Sequence, residues 1–180
     1  MEGPQYPQLS FQNSCCLFCC RSGSSPDYDQ IPGLKKANMD FHTSASKSSL
    51  IYSRINSMSS GKIVVGIGGL PYKCPPSPNE SAFMLDEFFT RKKIRDKINI
   101  TYITPFTRVY SAEAINKVIE PLYKSRNIDS ITAFTTDSVD PEKKELVSLE
   151  GETSSPHIRI RISRAFRPCI PGPASFQTRI

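Results

Sequence analysis

Lys62-Ile63-Val64-Val65-Gly66-Ile67-Gly68-Gly69-Leu70-Pro71-Tyr72-Lys73-Cys74-Pro75-Pro76-Ser77-Pro78-Asn79-Glu80 is the stretch that decides the fold. It opens with a short apolar run bounded by glycines, which suits a buried central strand of a parallel sheet. Glycines and prolines then make a turn, and Glu80 to Lys93 carries Phe83, Met84, Leu85, Phe88 and Phe89 on one broad face. That spacing predicts an amphipathic helix, with the prolines delaying its start to about Glu80. Strand, glycine turn and helix in this order open a nucleotide-binding type of β/α unit.

Downstream, Ile98-Asn99-Ile100-Thr101-Tyr102-Ile103 alternates, is rich in β-branched residues and stops before Pro105, so it reads as the second strand. Ser111 is placed to cap a second helix whose buried stripe would be Ile115, Val118, Ile119 and Leu122, with Pro121 bending or ending it. Ile128 to Phe134 is expected to be a third strand. Thr136 to Asp140 and Glu145 to Leu149 flank Asp140-Pro141-Glu142-Lys143-Lys144, a turn-forming segment that predicts a hairpin. The expected fold is therefore α/β: a Rossmann-like β-α-β-α-β unit over residues 61–151 with an added β-hairpin.

Upstream, residues 1–22 show little periodicity and read first as a disordered end. They hold Cys15-Cys16-Leu17-Phe18-Cys19-Cys20, whose C-x-x-C spacings invite zinc, but a structural zinc site needs a second ligand pair and the next candidates, His42 and Cys74, are single and distant. No metal is expected; reversible palmitoylation is the other reading of that cluster. Residues 23–60 are Ser-rich, contain the turn Ile31-Pro32-Gly33-Leu34, and read as a connector. Residues 152–180 read as an irregular basic tail.

The net charge is +6 with a pI near 9.0. Arg91, Lys92, Lys93, Arg95 and Lys97 close the first helix, where cations suit the negative end of the dipole, so a solvated helix end accounts for them. Arg159, Arg161, Arg164, Arg167 and Arg179 lie in a tail with no acid after Glu152. No groove-reading motif accompanies them, so nucleic acid is not expected as a partner, while contact with an anionic membrane surface stays open. The start at Met1-Glu2-Gly3-Pro4 has no basic leader and no apolar run approaches the roughly 20 residues that span a bilayer. A cytoplasmic setting, at most peripheral to the membrane, is the expectation, and six cysteines fit a reducing compartment.

The chemistry concentrates in the loop. Gly66, Gly68 and Pro71 stand where a G-x-G-x-x-G dinucleotide motif would have three glycines; they are the candidate cofactor-binding positions, and the proline puts close approach of a pyrophosphate in question. The acid expected to hold a ribose hydroxyl near the end of the second strand is replaced by Thr104-Pro105. Cys74 stands beside Lys73 and ahead of a helix N-terminus, where positive charge and the dipole both favour thiolate, a nucleophile and redox centre. Against that stands a plain reading of Cys74 as a small residue in a stiff loop. Glu80 is either a dipole-complementing residue or a proton-handling neighbour of the thiol.

Pro71-Tyr72-Lys73-Cys74-Pro75-Pro76-Ser77-Pro78-Asn79-Glu80, then Arg95-Asp96-Lys97 and Ile100-Thr101-Tyr102-Ile103-Thr104-Pro105, resembles the sulfide:quinone oxidoreductases and the related flavocytochrome c sulfide dehydrogenase flavoproteins. The likeness runs from about Gly23 to Gly151, with Gly23-Ser24-Ser25-Pro26 and Ile31-Pro32-Gly33-Leu34 similar to the family's upstream segment. The resemblance implies the second of two dinucleotide-binding domains, FAD held by the first, and Cys74 as one of the cysteines that accept sulfide sulfur while electrons pass through FAD to a membrane quinone. The G-x-G-x-x-G for FAD and a partner cysteine are not found, so the chain is expected to be a fragment needing further segments or a partner chain, inactive alone. A non-catalytic nucleotide-binding-like module and a non-functional truncated product are the competing readings.

Overall fold

The computed structural model describes residues 15–19, 28–37, 45–72, 74–140, 145–149 and 161–162. Its centre is a parallel sheet of four strands in the order β1 (Cys15–Cys19), β2 (Gly61–Ile67), β3 (Ile98–Ile103) and β4 (Asp129–Ile131). The register pairs Ile63 with Ile100 and Val65 with Tyr102, so these four residues share one face of the sheet. On that face pack Ile51 and Ile55 of α2 (Ala45–Ser57), Ala82, Leu85 and Phe89 of α3 (Ser77–Arg91), and Tyr123 of α4 (Glu113–Ser125). Val64 and Ile103 turn to the opposite face and are equally buried, as a parallel sheet covered on both sides requires. A second sheet places β5 (Thr136–Asp140) antiparallel to β6 (Glu145–Ser148), and β7 (Arg161–Ile162) parallel to β6.

The β-α-β-α-β unit and the hairpin are as the sequence predicts. The residues joining the hairpin strands, 141–144, lie outside the described ones, as do His42 in the connector and most of residues 1–22 and 152–180, among them the tail arginines apart from Arg161. Several local expectations are corrected. Within 1–22, where no strand was expected, Cys15–Cys19 forms β1 and pairs in parallel with β2 from Cys15↔Ile63 to Cys19↔Ile67; the run Cys-Cys-Leu-Phe-Cys is continuous in apolar residue types, as strands of parallel sheets are. Helix α3 starts at Ser77 rather than Glu80, with Pro76 at its cap and proline in its first turn. A first turn has no use for those amides and the fixed proline φ suits it, so the prolines start the helix instead of postponing it.

Helix α4 departs further. Ala112 is at its cap with no side-chain cap bond, and the helix runs four residues past Pro121. The N-terminal end is held instead by Asn116, whose Oδ1 accepts from the Tyr110 amide at 3.1 Å. Its buried residues are Asn116 and Tyr123, whereas Ile115, Val118 and Leu122 are 43%, 66% and 40% exposed. The helix is rolled so that its aromatic and amide edge meets the sheet, and of the predicted aliphatic stripe Ile119 packs against the core, partly buried. Strand β4 is also shorter than the predicted Ile128 to Phe134.

The connector is built into the fold. The turn at Ile31 to Leu34 leads into α1 (Leu34–Ala37) and buries Ile31 and Leu34, and the Val139 amide of β5 donates to Pro32 O at 2.8 Å. Gly33 has φ +81°, and a Cβ there would sit 1.8 Å from Val139 O, so both conformation and close approach demand glycine.

Arg95 is not part of a merely solvated helix end. Its Nε donates to Asp86 Oδ1 at 2.6 Å, its Nη1 to Ile98 O at 2.6 Å, and its Nη2 to Arg126 O and Asn127 O at 2.9 and 2.8 Å. Arg126 Nη1 takes Asp86 Oδ2 at 3.0 Å and its guanidinium lies over the Phe83 ring. Lys92 Nζ donates to Asn56 O and Met58 O, tying α3 to the end of α2. These bonds join the C-terminal ends of the helices to the start of β3, at the end of the sheet opposite the Cys74 loop.

Candidate functional site

The loop that carries Cys74 leaves the C-terminal end of β2, where ligands of open α/β sheets gather. Gly66 is not in it: the residue is inside β2, and a Cβ there would come within 2.2 Å of Ile103 Cγ1 and 2.7 Å of Ile103 O. Its missing side chain is explained by the close passage of β3. Gly68 is buried directly after the strand, Gly69 faces open space, and Pro71 is exposed beyond the cis Leu70–Pro71 peptide.

Tyr72 then packs against Phe106, ring centroids 6.2 Å apart, which ties this side of the loop to the segment after β3. Lys73, the cation expected beside the thiol, lies outside the described residues. Cys74 is a half-buried free thiol. Its carbonyl accepts the Ser77 amide at 3.2 Å, and Pro76 O accepts the Glu80 amide at 3.0 Å, so the thiol residue is joined directly to the first turn of α3. Glu80 is exposed in that turn, where its charge complements the dipole; among the described residues its carboxylate makes no hydrogen bond or ion pair with the thiol loop.

A pyrophosphate needs a cluster of free amides at a helix start. Here Pro75, Pro76 and Pro78 have none, and the Ser77 amide is engaged by Cys74 O. The ribose-acid position offers nothing either: Thr104 is fully buried and its hydroxyl accepts the Phe106 amide at 3.3 Å. The start of α3 therefore lacks the free amides by which such a helix takes a pyrophosphate, and of Gly66, Gly68 and Pro71 the first lies within the strand. What the loop presents is one free, half-buried thiol at the C-terminal end of the sheet.

The sequence did not single out the groups beneath the loop. Asn79 is buried in the first turn of α3 and meets the hydroxyls of Tyr123 and Tyr102. Tyr102 was legible as an inward residue of an alternating strand, but Tyr123 depended on the roll of α4, and nothing local marks Asn79 as buried.

The family model for the sulfide dehydrogenase [flavocytochrome c] flavoprotein chain, central, matches residues 48–160. Among solved structures the chain is similar to the sulfide:quinone oxidoreductase from the hyperthermophilic bacterium Aquifex aeolicus, with a TM-score of 0.50 and 20% identity over 67% of this chain. The chain spans 29% of that oxidoreductase, and at this identity the likeness speaks for the fold. No curated protein sequence matches the chain. With well over half of its residues inside the family match, the chain belongs to the central-domain family of flavocytochrome c sulfide dehydrogenase flavoprotein chains.

Proposed function

We propose that the chain is the thiol-bearing domain of a sulfide-oxidising flavoprotein and that Cys74 is the nucleophile that takes up sulfur. The observation that carries this is Cys74 itself: a free, half-buried thiol held on the loop after the central strand, in a chain of a sulfide dehydrogenase family. In the proposed step the Cys74 thiolate attacks the terminal sulfur of a polysulfide dianion. A Cys74 Sγ–S bond forms, one S–S bond of the polysulfide breaks, and the electron pair leaves on the shortened polysulfide dianion, so the protein keeps a persulfide without any external oxidant.

In this reading the oxidation of sulfide is a separate two-electron step of the whole flavoprotein, for which FAD, held by segments of a longer protein or by a partner chain, would be the electron acceptor and a quinone at a membrane surface the final one. A cytoplasmic domain touching that surface peripherally fits the reading; among the described residues no helix is long and apolar enough to cross a membrane. Lys73 and Glu80 are the proposed electrostatic and proton-handling neighbours of the sulfur.

Treating the purified chain with inorganic polysulfide and mapping its peptides by mass tests the assignment. The expected result is a sulfur adduct on the Cys74 peptide, lost in Cys74→Ser, with no sulfide-dependent quinone reduction by the chain alone, since a bare thiol domain cannot orient a flavin. An unmodified Cys74 peptide would remove the proposal.

A further inference from the structure

Under the thiol loop a polar cluster is buried for which an apolar core would have served as filling. Asn79 is 3% exposed; its Oδ1 accepts the Tyr123 hydroxyl at 2.8 Å, and its Nδ2 faces Tyr102 Oη at 3.5 Å. The rings of Tyr102 and Tyr123 stand 5.3 Å apart, and Phe83 closes over Tyr123 at 5.1 Å. Burial, with Tyr102 adding to it, holds the Tyr123 hydroxyl well above its ordinary titration range, so it remains a donor wherever the protein is folded. That donation fixes the amide of Asn79 with its oxygen toward Tyr123. Such a cluster is costly unless its members satisfy one another, and a leucine beside a phenylalanine would fill similar space without that demand.

Its position gives the reason. Asn79 belongs to the same helical turn as Ser77, whose amide holds Cys74 O. That turn has no side-chain cap, and proline occupies its early positions, so the usual local anchor of a helix start is missing. The Tyr123–Asn79 bond spans from α4 to this turn and replaces the cap with a tertiary tie. On the opposite flank Tyr72 is set against Phe106. The sulfur is thus suspended between two fixed points, one aromatic and one hydrogen-bonded.

We propose that Asn79 and Tyr123 are positioning residues for Cys74, setting where the thiol sits relative to the start of α3. This rests on the reading of Cys74 as the reactive thiol. Tyr123 acts through Asn79, so the two effects on the sulfur are coupled rather than additive.

The test is a double-mutant cycle in the full chain, with Asn79→Leu, Tyr123→Phe and the pair together. Alkylation of Cys74 by iodoacetamide is followed across pH by peptide mass mapping, beside melting temperature and hydrogen exchange at the Ser77 amide. Each single variant is expected to slow Cys74 alkylation about fivefold or more and to speed Ser77 exchange. The double variant should react no more slowly than the slower single one, yet recover melting temperature relative to the single variants, because it removes the donor and the acceptor of the Tyr123–Asn79 bond together. Alkylation rates that return to the unmodified value together with melting temperature would mean a purely structural cluster and overturn the proposal. Rates and Ser77 exchange that stay within about twofold in both single variants would overturn it as well, and where the thiol resists alkylation altogether the exchange decides. Persulfide formation is scored separately: if polysulfide leaves Cys74 unmodified while the cycle behaves as expected, the sulfur-transfer reading falls and the positioning stands.

Discussion

The two ends of the central sheet are held by different physics. At the end where β3 begins, Asp86 is buried with both oxygens bonded to guanidinium groups, and Arg95 also satisfies three backbone carbonyls at the helix ends. At the other end the Tyr72–Phe106 contact and the Ser77 amide on Cys74 O hold the loop after β2, the Tyr123–Asn79 bond holds the first turn of α3, and the loop displays a thiol. At the charged end Asp86 and Arg95 are bonded to each other, and Arg95 to the backbone around it. The other end carries the half-buried thiol, on the kind of loop that a scaffold leaves to present functional groups.

The contrast is broken hardest at Asp86. Asp86→Ala leaves Arg95 partly buried without its carboxylate and is expected to cost about 3 kcal/mol or more, read as a fall in urea midpoint. The loss of Cys74 alkylation selectivity should follow only as the protein unfolds. Gly66→Ala probes the sheet just below the thiol loop: the added methyl meets Ile103, including its carbonyl, and should cost about 1–3 kcal/mol by the same measurement. A smaller value would mean that β2 and β3 separate easily at the reactive end. The smallest effect is a pH slope. Tyr123 titrates higher in the folded chain than in the unfolded one, so the unfolded chain releases that proton first as pH rises through about 10. Its stabilising contribution is complete below that value and is lost above it, and this group should weaken the fold by about 1 kcal/mol between pH 10 and 11. Tyr123→Phe should flatten that part of the stability-against-pH curve; an unchanged slope would mean the phenol is not buried in solution.

Much of the scaffold was legible because it rests on patterns of short range. The apolar run at Ile63 to Val65, the alternation from Ile98 to Ile103 and the turn-flanked pair of hairpin strands all became strands. Where the sequence misled, a tertiary choice won. The aliphatic stripe of α4 is more apolar than the edge with Asn116 and Tyr123, yet the latter faces inward because its polar atoms find Tyr110, Glu120 and Asn79 as partners. The basic cluster after α3 looked like solvated charge because its carboxylate partner, Asp86, lies nine residues before Arg95. At the thiol, residue type and loop position were readable, but the support under it depended on residues 23 and 44 positions away from Asn79.

The bond between Val139 and Pro32 bears on how short this polypeptide can be made. A version trimmed to begin at Gly61 would strip a backbone donor of its acceptor and empty the seats of Ile31, Leu34, Ile51 and Ile55. The smallest self-sufficient piece therefore has its upstream cut before Cys15, so that β1 stays paired with β2 and the turn at Ile31 to Leu34 keeps its place.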